Sequence, residues 1–483
     1  MNYETVIGLE VHAQLLTRSK MYCGCSTGYA SAPPNTHVCP VCLGMPGVLP
    51  VINRQAVEFT MMTALALHCP VSEYTKFDRK NYPYPDLVKG YQISQFDAPI
   101  GQKGRLSIEI DGEKKNIGVT RVHLEEDVAK LQHRNADGED YSLVDVNRSG
   151  APLMEIVGEP DLRSPEEARQ YLIKLRSILR YLGVSTGNME EGSFRCDANI
   201  SLRPEGSTEL GAKVEVKNMN SFRGVFLALE YEVKRQRQAL EEGKRLVQET
   251  RGWVEPKGKT VSQRSKEYAH DYRYFPEPDL PPLVISREWV EEVRAKLPEL
   301  PEARRDRFMA EYGLSEYDAN LLTSARELAD YYEECRRCHQ DASAKETSNW
   351  LLGEVSRIMN EQHVEINDFR QKVSPDNLCR LITSAHGQIN AATAKSVLDE
   401  MFRSGEDAAA IIARKGLSQI SDSGELEKII VEVINSNVQP VADYHAGKET
   451  ALKFLVGQVM KASRGRANPQ AVNEMLKQKL DAA

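Results

Sequence analysis

Polar and apolar side chains alternate in the segment Tyr3-Glu4-Thr5-Val6-Ile7-Gly8-Leu9-Glu10-Val11-His12-Ala13-Gln14-Leu15. Successive side chains of a β-strand point to opposite faces of its sheet. Ile7, Leu9 and Val11 therefore share one face, and Glu10 and His12 stand side by side on the other. The segment predicts a strand that covers a core with one face and presents a carboxylate and an imidazole on the opposite face.

The same alternation recurs in residues 119–128 and 195–203. Their polar faces carry Arg121, His123, Glu125 and Asp127 in the first segment, and Asp197, Asn199 and Ser201 in the second. An antiparallel sheet with one solvated face gives this pattern without any function, and that explanation stays open for each strand taken alone. Three such strands rich in Glu, His, Asp and Asn favour a divalent-cation site, because these are the donors such ions recruit.

Charged residues elsewhere in this region fit the same interpretation. Glu155 lies inside the apolar run 152–157, where a carboxylate needs a partner or a metal. Basic residues occur in the same region at Lys80, Arg148, Arg195, Lys213 and Lys217. Acidic ligands mixed with Arg and Lys suit a Mg²⁺-bound nucleotide. The sequence contains no Walker A pattern, GxGxxG or kinase glycine loop, so a nucleotide would bind here by none of the common loops.

The pattern of secondary structure changes along the chain. Up to about Leu283 it reads as strands and turns with a few helices, the clearest starting at Ser164-Pro165-Glu166-Glu167 and stopping at Gly183, and a second over residues 222–243. The proline-rich segment 276–282 marks a domain edge. After about Glu288 the periodicity is helical. These features predict an α+β fold, a mainly antiparallel β domain followed by all-α parts.

Composition sets outer limits on the function. With 483 residues and 41% hydrophobic residues, the chain can bury cores of two to four domains. A net charge of −8 excludes a uniformly basic surface, so any contact with nucleic acid must come from local patches. The first residues show no signal peptide, and no apolar run approaches the roughly 20 residues of a membrane span. We expect a cytoplasmic protein.

Four of the nine cysteines form two close pairs, Cys23-Gly24-Cys25 and Cys39-Pro40-Val41-Cys42. Two knuckles of this kind can wrap one tetrahedral Zn²⁺, and four protein ligands make such a site structural. The alternative is four unrelated thiols, since the first pair is CxC rather than the commoner CxxC. Residues 335–339 match the CxxCH pattern of haem attachment, but their charged helical flanks indicate a solvated helix.

Seven ordered segments carry a resemblance to one known family. They are residues 6–12 (VIGLEVH), 77–86 (FDRKNYPYPD), 123–127 (HLEED), 145–156 (DVNRSGAPLMEI), 190–199 (EEGSFRCDAN), 270–279 (HDYRYFPEPD) and 454–461 (FLVGQVMK). The chain resembles the GatB family, the B subunits of the GatCAB tRNA-dependent amidotransferases, over nearly its whole length. Its four paired cysteines place it beside the zinc-bearing members. Val88 departs from the proline that many members carry.

The resemblance implies three domains. Residues 1–287 would form a cradle-like catalytic domain with a zinc knuckle at 23–42, residues 288–410 a helical domain, and residues 411–483 a small helical tail similar to the YqeY family. It also implies a heterotrimer with GatA, an amidase (glutaminase), and the small protein GatC. The chain itself would use ATP to phosphorylate the side-chain carboxylate of Glu-tRNA(Gln) or Asp-tRNA(Asn). Ammonia from glutamine would then displace phosphate.

Roles for individual residues follow from the same resemblance. The expected Mg²⁺ ligands are Glu10, His12, Glu125 and Glu155, and the expected Zn²⁺ ligands are Cys23, Cys25, Cys39 and Cys42. The residues expected to hold phosphate or the aminoacyl end are Lys80, Arg148, Ser193, Arg195, Lys217 and Asn218. The implied cofactors are therefore ATP, Mg²⁺ and Zn²⁺.

The C-terminal segment supplies local positive charge. Between residues 451 and 483 the cations are Lys453, Lys461, Arg464, Arg466, Lys477 and Lys479, against the two acids Glu474 and Asp481. The excess predicts a clamp on the tRNA backbone, although a basic helical surface is often only solvated. Two other functions remain open at this point. One is a noncatalytic zinc module that binds nucleic acid, and the other is an ATP-dependent amide ligase acting on a free metabolite.

Overall fold

The computed structural model describes residues 2–136, 138–265, 272–338, 343–386, 388–417, 423–463 and 466–481. Contacts divide the chain into two units, Met1–Leu300 and Pro301–Ala483. Two residues of the family segments, His270 and Asp271, lie outside the described residues, as do His339 of the CxxCH pattern and Arg464 of the basic tail. The first unit holds the strands and the second is helical.

The strands of the first unit are β1 (Tyr3–Gln14), β2 (Tyr74–Thr75), β3 (Asp78–Asn81), β4 (Tyr91–Ser94), β5 (Gly101–Ile110), β6 (Glu113–Glu126), β7 (Lys130–Ala136), β8 (Glu139–Asp145), β9 (Pro152–Gly158), β10 (Phe194–Pro204), β11 (Val214–Lys217), β12 (Glu249–Val254), β13 (Lys259–Ser265), β14 (Phe275–Pro276) and β15 (Leu283–Val284). Eight of them form one sheet in the order β13-β12-β11-β10-β1-β9-β6-β5. Only the β11–β12 pair in it is parallel. Three smaller sheets have the orders β14-β3-β4, β15-β2 and β7-β8.

The helices of the first unit are α1 (Arg54–Ala66), α2 (Pro165–Tyr181), α3 (Phe222–Glu241) and α4 (Arg287–Arg294). Helix α2 starts where the sequence predicts, because the Ser164 hydroxyl accepts a hydrogen bond from the Glu167 backbone N–H at 3.1 Å. It stops before Gly183, whose φ of +68° lies in the left-handed region that favours glycine. Both predicted helices are therefore confirmed.

The alternation in β1 separates two environments. Ile7, Leu9 and Val11 are at most 2% exposed and belong to the main hydrophobic cluster, together with the apolar side chains of α1, α2 and α3. Strands β6, β9 and β10 contribute Leu124, Ile156 and other buried residues to the same cluster. Helices thus cover one face of the sheet, and the opposite face keeps the polar side chains of all four strands.

The second unit is built from helices α5 (Pro301–Tyr312), α6 (Glu316–Leu322), α7 (Arg326–Cys338), α8 (Ala344–Trp350), α9 (Ser356–Gln362), α10 (Ile366–Lys372), α11 (Pro375–Ser384), α12 (Ala391–Ser404), α13 (Ala408–Lys415), α14 (Ser423–Ser436), α15 (Val438–His445), α16 (Glu449–Ala462) and α17 (Pro469–Asp481). One π-helical turn, Leu351–Val355, joins α8 to α9. The described residues of this unit form two hydrophobic clusters, one reaching from Phe308 to Ile412 and the other from Leu426 to Leu480.

The α+β fold class is confirmed, with a mostly antiparallel sheet followed by helices. The first helical residues pack against the sheet domain: Trp289, Val290 and Val293 of α4 contact its core. The three-domain division at 287/288 and 410/411 stays a prediction. No helix in the described part of the chain is long and apolar enough to cross a membrane.

We expect the central strand to carry much of the stability of the first unit. Ile7 is fully buried opposite Ile200 of β10. Ile7→Ala leaves a cavity that neighbouring strands cannot close, so the free energy of unfolding of this unit should fall by about 2–5 kcal/mol. Urea unfolding followed by the fluorescence of Trp253 and Trp289, in a Trp350→Phe background that removes the signal of the second unit, measures it. Val247→Ala, at a site 58% exposed, is the control. A loss equal to the control's would contradict the assignment of Ile7 to the core.

Candidate metal centre and its surroundings

Four strands align the polar residues on the face of the sheet opposite the helices, the polar face, in one row. Antiparallel pairing sets His123 of β6 opposite Glu155 of β9, Glu155 opposite His12 of β1, and His12 opposite Arg195 of β10. Paired residues of neighbouring strands lie close enough for their side chains to touch. The register therefore places a carboxylate between two imidazoles in the middle of the sheet.

The side chains of this row meet at short range. The distance from His12 Nε2 is 3.4 Å to Glu155 Oε2, 3.7 Å to Glu125 Oε1 and 3.9 Å to Glu10 Oε1. His123 Nε2 lies 3.2 Å from the same oxygen of Glu155. Three of the four expected Mg²⁺ ligands thus surround the fourth, His12. We call Glu10, His12, His123, Glu125 and Glu155 the acidic centre.

The charges in the acidic centre depend on one another. Burial raises the pKa of Glu10 above its usual value, and the nearby charge of Glu155 raises it further. Burial also opposes ionisation of Glu155, but the charge of His123 and the contact with His12 outweigh it and hold the pKa of Glu155 well below its usual range. Burial alone would lower the pKa of His123, yet Glu155 and Glu125 raise it to about 9. The carboxylates thus favour a positive charge at their centre.

A divalent cation fits this donor set. Two groups of three residues, Glu10-His12-Glu155 and His123-Glu125-Glu155, each offer ligand atoms within 4.8 Å of one another. Glu125 is 2% exposed, and its Oε2 has no hydrogen-bond partner among the described residues. A buried carboxylate oxygen without a partner is costly, and a cation would satisfy it. Oxygen donors suit Mg²⁺, with imidazole completing the set.

Basic side chains lie on two sides of the acidic centre. The ammonium of Lys80 on β3 faces Glu125 and Glu155, whose charges raise its pKa although burial opposes this. Arg195 Nη2 lies 3.2 Å from Asp127 Oδ2, and Arg148 Nε lies 3.6 Å from Asp127 Oδ1. Arg148 also donates to the backbone carbonyls of residues 128 and 129 at 2.8 and 3.0 Å. Both arginines are therefore held in place beside the centre.

The other three expected phosphate-binding residues lie on neighbouring elements. Lys217 at the end of β11 pairs with Asp197 at 2.5 Å. Asn218 follows it with a left-handed φ of 64° and is exposed. The Ser193 hydroxyl donates to the Asn188 carbonyl at 3.0 Å and accepts from the Asn188 N–H at 3.0 Å. Its hydrogen bonds thus join the two ends of the loop 188–193. The roles of these three residues stay predictions.

Sequence reasoning left two residues of this site without a role. His123 touches Glu155 more closely than His12 does, and its place beside Glu125 in the alternating strand could have revealed it. Asp127 is 1% exposed and joins Arg148, Arg195 and Gln14, whose amide donates to it at 2.7 Å. Its three partners come from three distant segments, so no local pattern points to this network.

The four paired cysteines meet at one point. Their sulfur atoms all lie within 4.8 Å of one another, and zinc bound at about 2.3 Å to each thiolate spaces sulfurs by about 3.8 Å. The Cys39 backbone N–H donates to the Cys42 sulfur at 3.1 Å. Burial raises the pKa of the Cys25 thiol to about 11, so four thiolates need a bound cation to stay ionised together. The donor set fits Zn²⁺.

The loop between the two cysteine pairs touches the segment that carries Arg148. Asn35 accepts from the Val146 N–H at 2.7 Å, and its own N–H donates to the Asp145 carboxylate at 3.1 Å. The Asn147 side chain accepts from the His37 N–H at 2.8 Å and donates to the carbonyl of residue 33 at 2.8 Å. The geometry of the cysteine loop is thus linked to the turn that positions Arg148.

The haem-like pattern of residues 335–338 lies on a helix. Cys335 is buried on α7, and its thiol donates to the Pro375 carbonyl at 3.7 Å. Cys338 is exposed at the end of the same helix. The helix is as predicted, but only Cys338 lies on its solvated face, because Cys335 packs into the hydrophobic core of the second unit.

Salt bridges within the tail neutralise part of its positive charge. Arg466 lies 3.8 Å from Glu425, and Lys479 pairs with Glu427. Three exposed lysines have no ion pair within the described part of the tail: Lys453, Lys461 and Lys477. Among the residues of the tail that the structure describes, these three are best placed to meet an anionic partner.

The first unit is a mostly antiparallel α+β domain with the acidic centre and the four-cysteine cluster, and a helical region follows it in the chain. These features define a class of multidomain proteins with a candidate divalent-cation centre. Comparison with known families makes this specific. The GatB/GatE catalytic domain matches residues 5–291, and the GatB (Yqey) domain matches residues 330–480. The chain therefore belongs to the GatB family.

Full-length relatives agree with this assignment. A protein of Dehalococcoides mccartyi is 64% identical over 487 residues, and one of Carboxydothermus hydrogenoformans is 56% identical over 480. A protein of Thermomicrobium roseum is 56% identical over 481 residues. Each similarity covers 99% of both chains, and all three relatives are named as the B subunit of an aspartyl/glutamyl-tRNA(Asn/Gln) amidotransferase.

We expect wild-type protein purified without chelator to contain close to one zinc per chain. Cys39→Ser should lose the metal and lower the melting temperature, because metal binding contributes directly to folding of the loop. Elemental analysis and thermal unfolding check both. Cys338→Ser, which alters an exposed thiol outside the cluster, is the control. Less than about half a zinc per wild-type chain would contradict a structural zinc site.

Proposed function

We propose that this chain is the tRNA-binding, ATP-using component of a tRNA-dependent amidotransferase. It would activate the side-chain carboxylate of glutamate or aspartate attached to tRNA(Gln) or tRNA(Asn). The observation that carries the proposal is the acidic centre on the polar face of the sheet, flanked by Lys80, Arg148 and Arg195. The names of the full-length relatives support the same reaction.

The chemistry explains why a centre of this kind is needed. A carboxylate anion is a poor electrophile, and oxide is a poor leaving group. In the first step the carboxylate oxygen attacks the γ-phosphorus of ATP, the bond to ADP breaks, and an acyl phosphate forms. In the second step ammonia attacks the acyl carbon, loses a proton and displaces phosphate to give the amide. Transfer of a phosphoryl group depends mainly on positioning and neutralisation of charge.

Residues of the chain divide this work between them. Glu10, His12, Glu125 and Glu155 would hold Mg²⁺, joined by His123. Bound Mg²⁺ supplies positive charge against the phosphate oxygens. Lys80 adds a fixed cation beside Glu125. A second set is proposed to orient phosphate or the aminoacyl end of the tRNA: Arg148, Ser193, Arg195, Lys217 and Asn218.

The proposal includes partners, a second metal and a place in the cell. GatA, an amidase, would release ammonia from glutamine, and the small protein GatC would complete the heterotrimer. Zn²⁺ at Cys23, Cys25, Cys39 and Cys42 would hold the loop that touches the Arg148 turn. The helical region after residue 410 would act as a separate YqeY-like tail that contacts tRNA. The complex would work in the cytoplasm.

One measurement separates this function from its two alternatives. ADP formation by the complete complex should depend on misacylated tRNA. A noncatalytic zinc module would form no ADP, and an amide ligase for a free metabolite would form ADP without tRNA. Family membership favours the tRNA-dependent reaction over both.

The most direct test of the acidic centre is Glu125→Gln. The substitution keeps the shape of the side chain and removes the charge of a residue whose Oε2 has no hydrogen-bond partner among the described residues. tRNA-dependent ADP formation should fall by on the order of 10²-fold, because developing phosphoryl charge is poorly neutralised. Binding of Mn²⁺ as a probe for the metal should weaken in parallel.

Glu113→Gln provides a matched control, since Glu113 starts the same strand at an exposed position. It should leave ADP formation and Mn²⁺ binding unchanged. Affinity for tRNA should survive in both variants, because the RNA is held mainly through other contacts. If Glu125→Gln forms ADP at the normal rate without extra Mg²⁺, Glu125 is not a ligand and its buried carboxylate has only a structural role.

The tail prediction is best tested by removing charge rather than chain. The cluster that holds the tail packs Leu426 and Ile430 of α14 against Leu455 of α16 and Leu476 of α17, so truncation after Gly447 would expose an apolar surface. Changing Lys453, Lys461 and Lys477 together to alanine should weaken tRNA binding. The slope of log affinity against log salt should fall by about one unit for each lost phosphate contact.

A triple variant of exposed lysines in the first unit, Lys103, Lys114 and Lys257, makes the same change in net charge. It should not alter the salt slope. Glutaminase activity of the complex should stay the same in both triple variants. Equal affinity for misacylated tRNA in wild type and the tail variant at near-physiological salt would show that the tail is not the clamp.

A further inference from the structure

Aromatic side chains gather beside the acidic centre in an arrangement that the proposed function does not use. The rings of Phe96 and Tyr274 stack with centroids 4.0 Å apart and planes 9° from parallel. Tyr272 meets Tyr274 edge to face at 6.0 Å, and Tyr82 meets Tyr272 at 5.7 Å. We call Tyr82, Phe96, Tyr272 and Tyr274 the aromatic platform.

The outer end of this platform is open. Phe96 is 50% exposed although Tyr274 covers one face of its ring, so most of the exposed area lies on the opposite face and the edges. The backbone around Phe96 is held firmly. Its N–H donates to buried Asp78 at 3.3 Å, and the preceding Gln95 accepts from the Leu124 N–H at 3.0 Å. A flat apolar surface is thus presented at a fixed position.

The platform lies next to the groups that would transfer phosphate. The ammonium of Lys80 lies 5.1 Å from the ring centroid of Tyr272 and 5.9 Å from that of Tyr82. The pKa of the Tyr274 phenol rises to about 12, mainly through burial, and the charges of Glu125 and Glu155 add to the rise. A ring stacked on the platform would therefore belong to a molecule that reaches the acidic centre.

We propose that the aromatic platform binds an adenine ring, stacked on the outer face of Phe96, of a substrate whose other end reacts at the acidic centre. The inference rests on the proposed function, in which both substrates carry adenine near the reacting atoms. One source is the base of ATP, and the other is the 3′-terminal adenosine to which the amino acid is attached. An in-line transfer brings its two reactants to phosphorus from opposite sides, so the platform takes one of these two bases.

Stacking sets the expected strength of this contact. Nucleobases bind to exposed aromatic rings through their flat faces, with little dependence on hydrogen bonds. Loss of one such ring weakens binding of a base by about five- to 150-fold. The cation of Lys80 beside the rings suits the phosphate that accompanies either adenine.

The test measures KM for ATP and KM for misacylated tRNA in tRNA-dependent ADP formation, with the complete complex. Phe96→Ala should raise one of the two KM values by about fivefold or more, because a stacked base is lost. Phe96→Tyr keeps a flat ring and should restore the wild-type value. Phe275→Ala removes a ring of similar exposure, 45%, which lies beside Arg79 instead, and should leave both KM values unchanged.

The two arms of the test identify the source of the adenine. A higher KM for ATP alone assigns the platform to the nucleotide, and a higher KM for tRNA alone assigns it to the terminal adenosine. Truncated tRNA that lacks this adenosine gives a second measure, because Phe96→Ala should not weaken its binding further if the platform holds that base. Either result supports the inference.

Three results would overturn it. One is that both KM values stay within about twofold of wild type, far less than the loss of a stacked base causes. Another is that Phe275→Ala has the same effect, which would indicate a general disturbance. The third is loss of assembly with the partner proteins at unchanged KM, which would assign Phe96 to an interface of the complex. Absence of tRNA-dependent ADP formation in the wild type would instead refute the proposed function itself, and the inference with it.

Discussion

A buried carboxylate in the middle of a sheet needs compensation, and Glu155 receives it from two imidazoles. It is 4% exposed, with His123 at 3.2 Å and His12 at 3.4 Å from the same oxygen. An uncompensated charge at this depth would destabilise the fold by several kcal/mol. The register of β6, β9 and β1 is tied to this contact, because a shift of any one of these strands by one residue would turn its own His or Glu side chain into the core.

The sheet keeps structure and chemistry on separate faces. Helices α1 to α3 cover the apolar face, so the polar face can carry charged groups without weakening the core. Smaller sheets then bring further groups to that polar face: β3 supplies Lys80, and the turn after β8 supplies Arg148. The acidic centre is therefore assembled from rigid strands, which fix side chains more closely than loops do.

The cysteine cluster belongs to the same arrangement. Its loop holds the turn at residues 145–148 through Asn35 and His37, and Arg148 continues from that turn to Asp127. A structural metal there would therefore do more than stabilise a short loop. It would also set the position of the Arg148 guanidinium beside the acidic centre.

The sequence alone determined the local features of this protein. Period-two alternation predicted strands and their two faces, capping residues predicted α2, and cysteine spacing predicted the thiol cluster, since each depends on neighbours in the chain. Only tertiary structure decided which strands adjoin. That order brings His123 to Glu155, joins Asp127 to Arg195, and stacks Phe96 on Tyr274. Strand order and register are set by packing between distant segments, which no local pattern records.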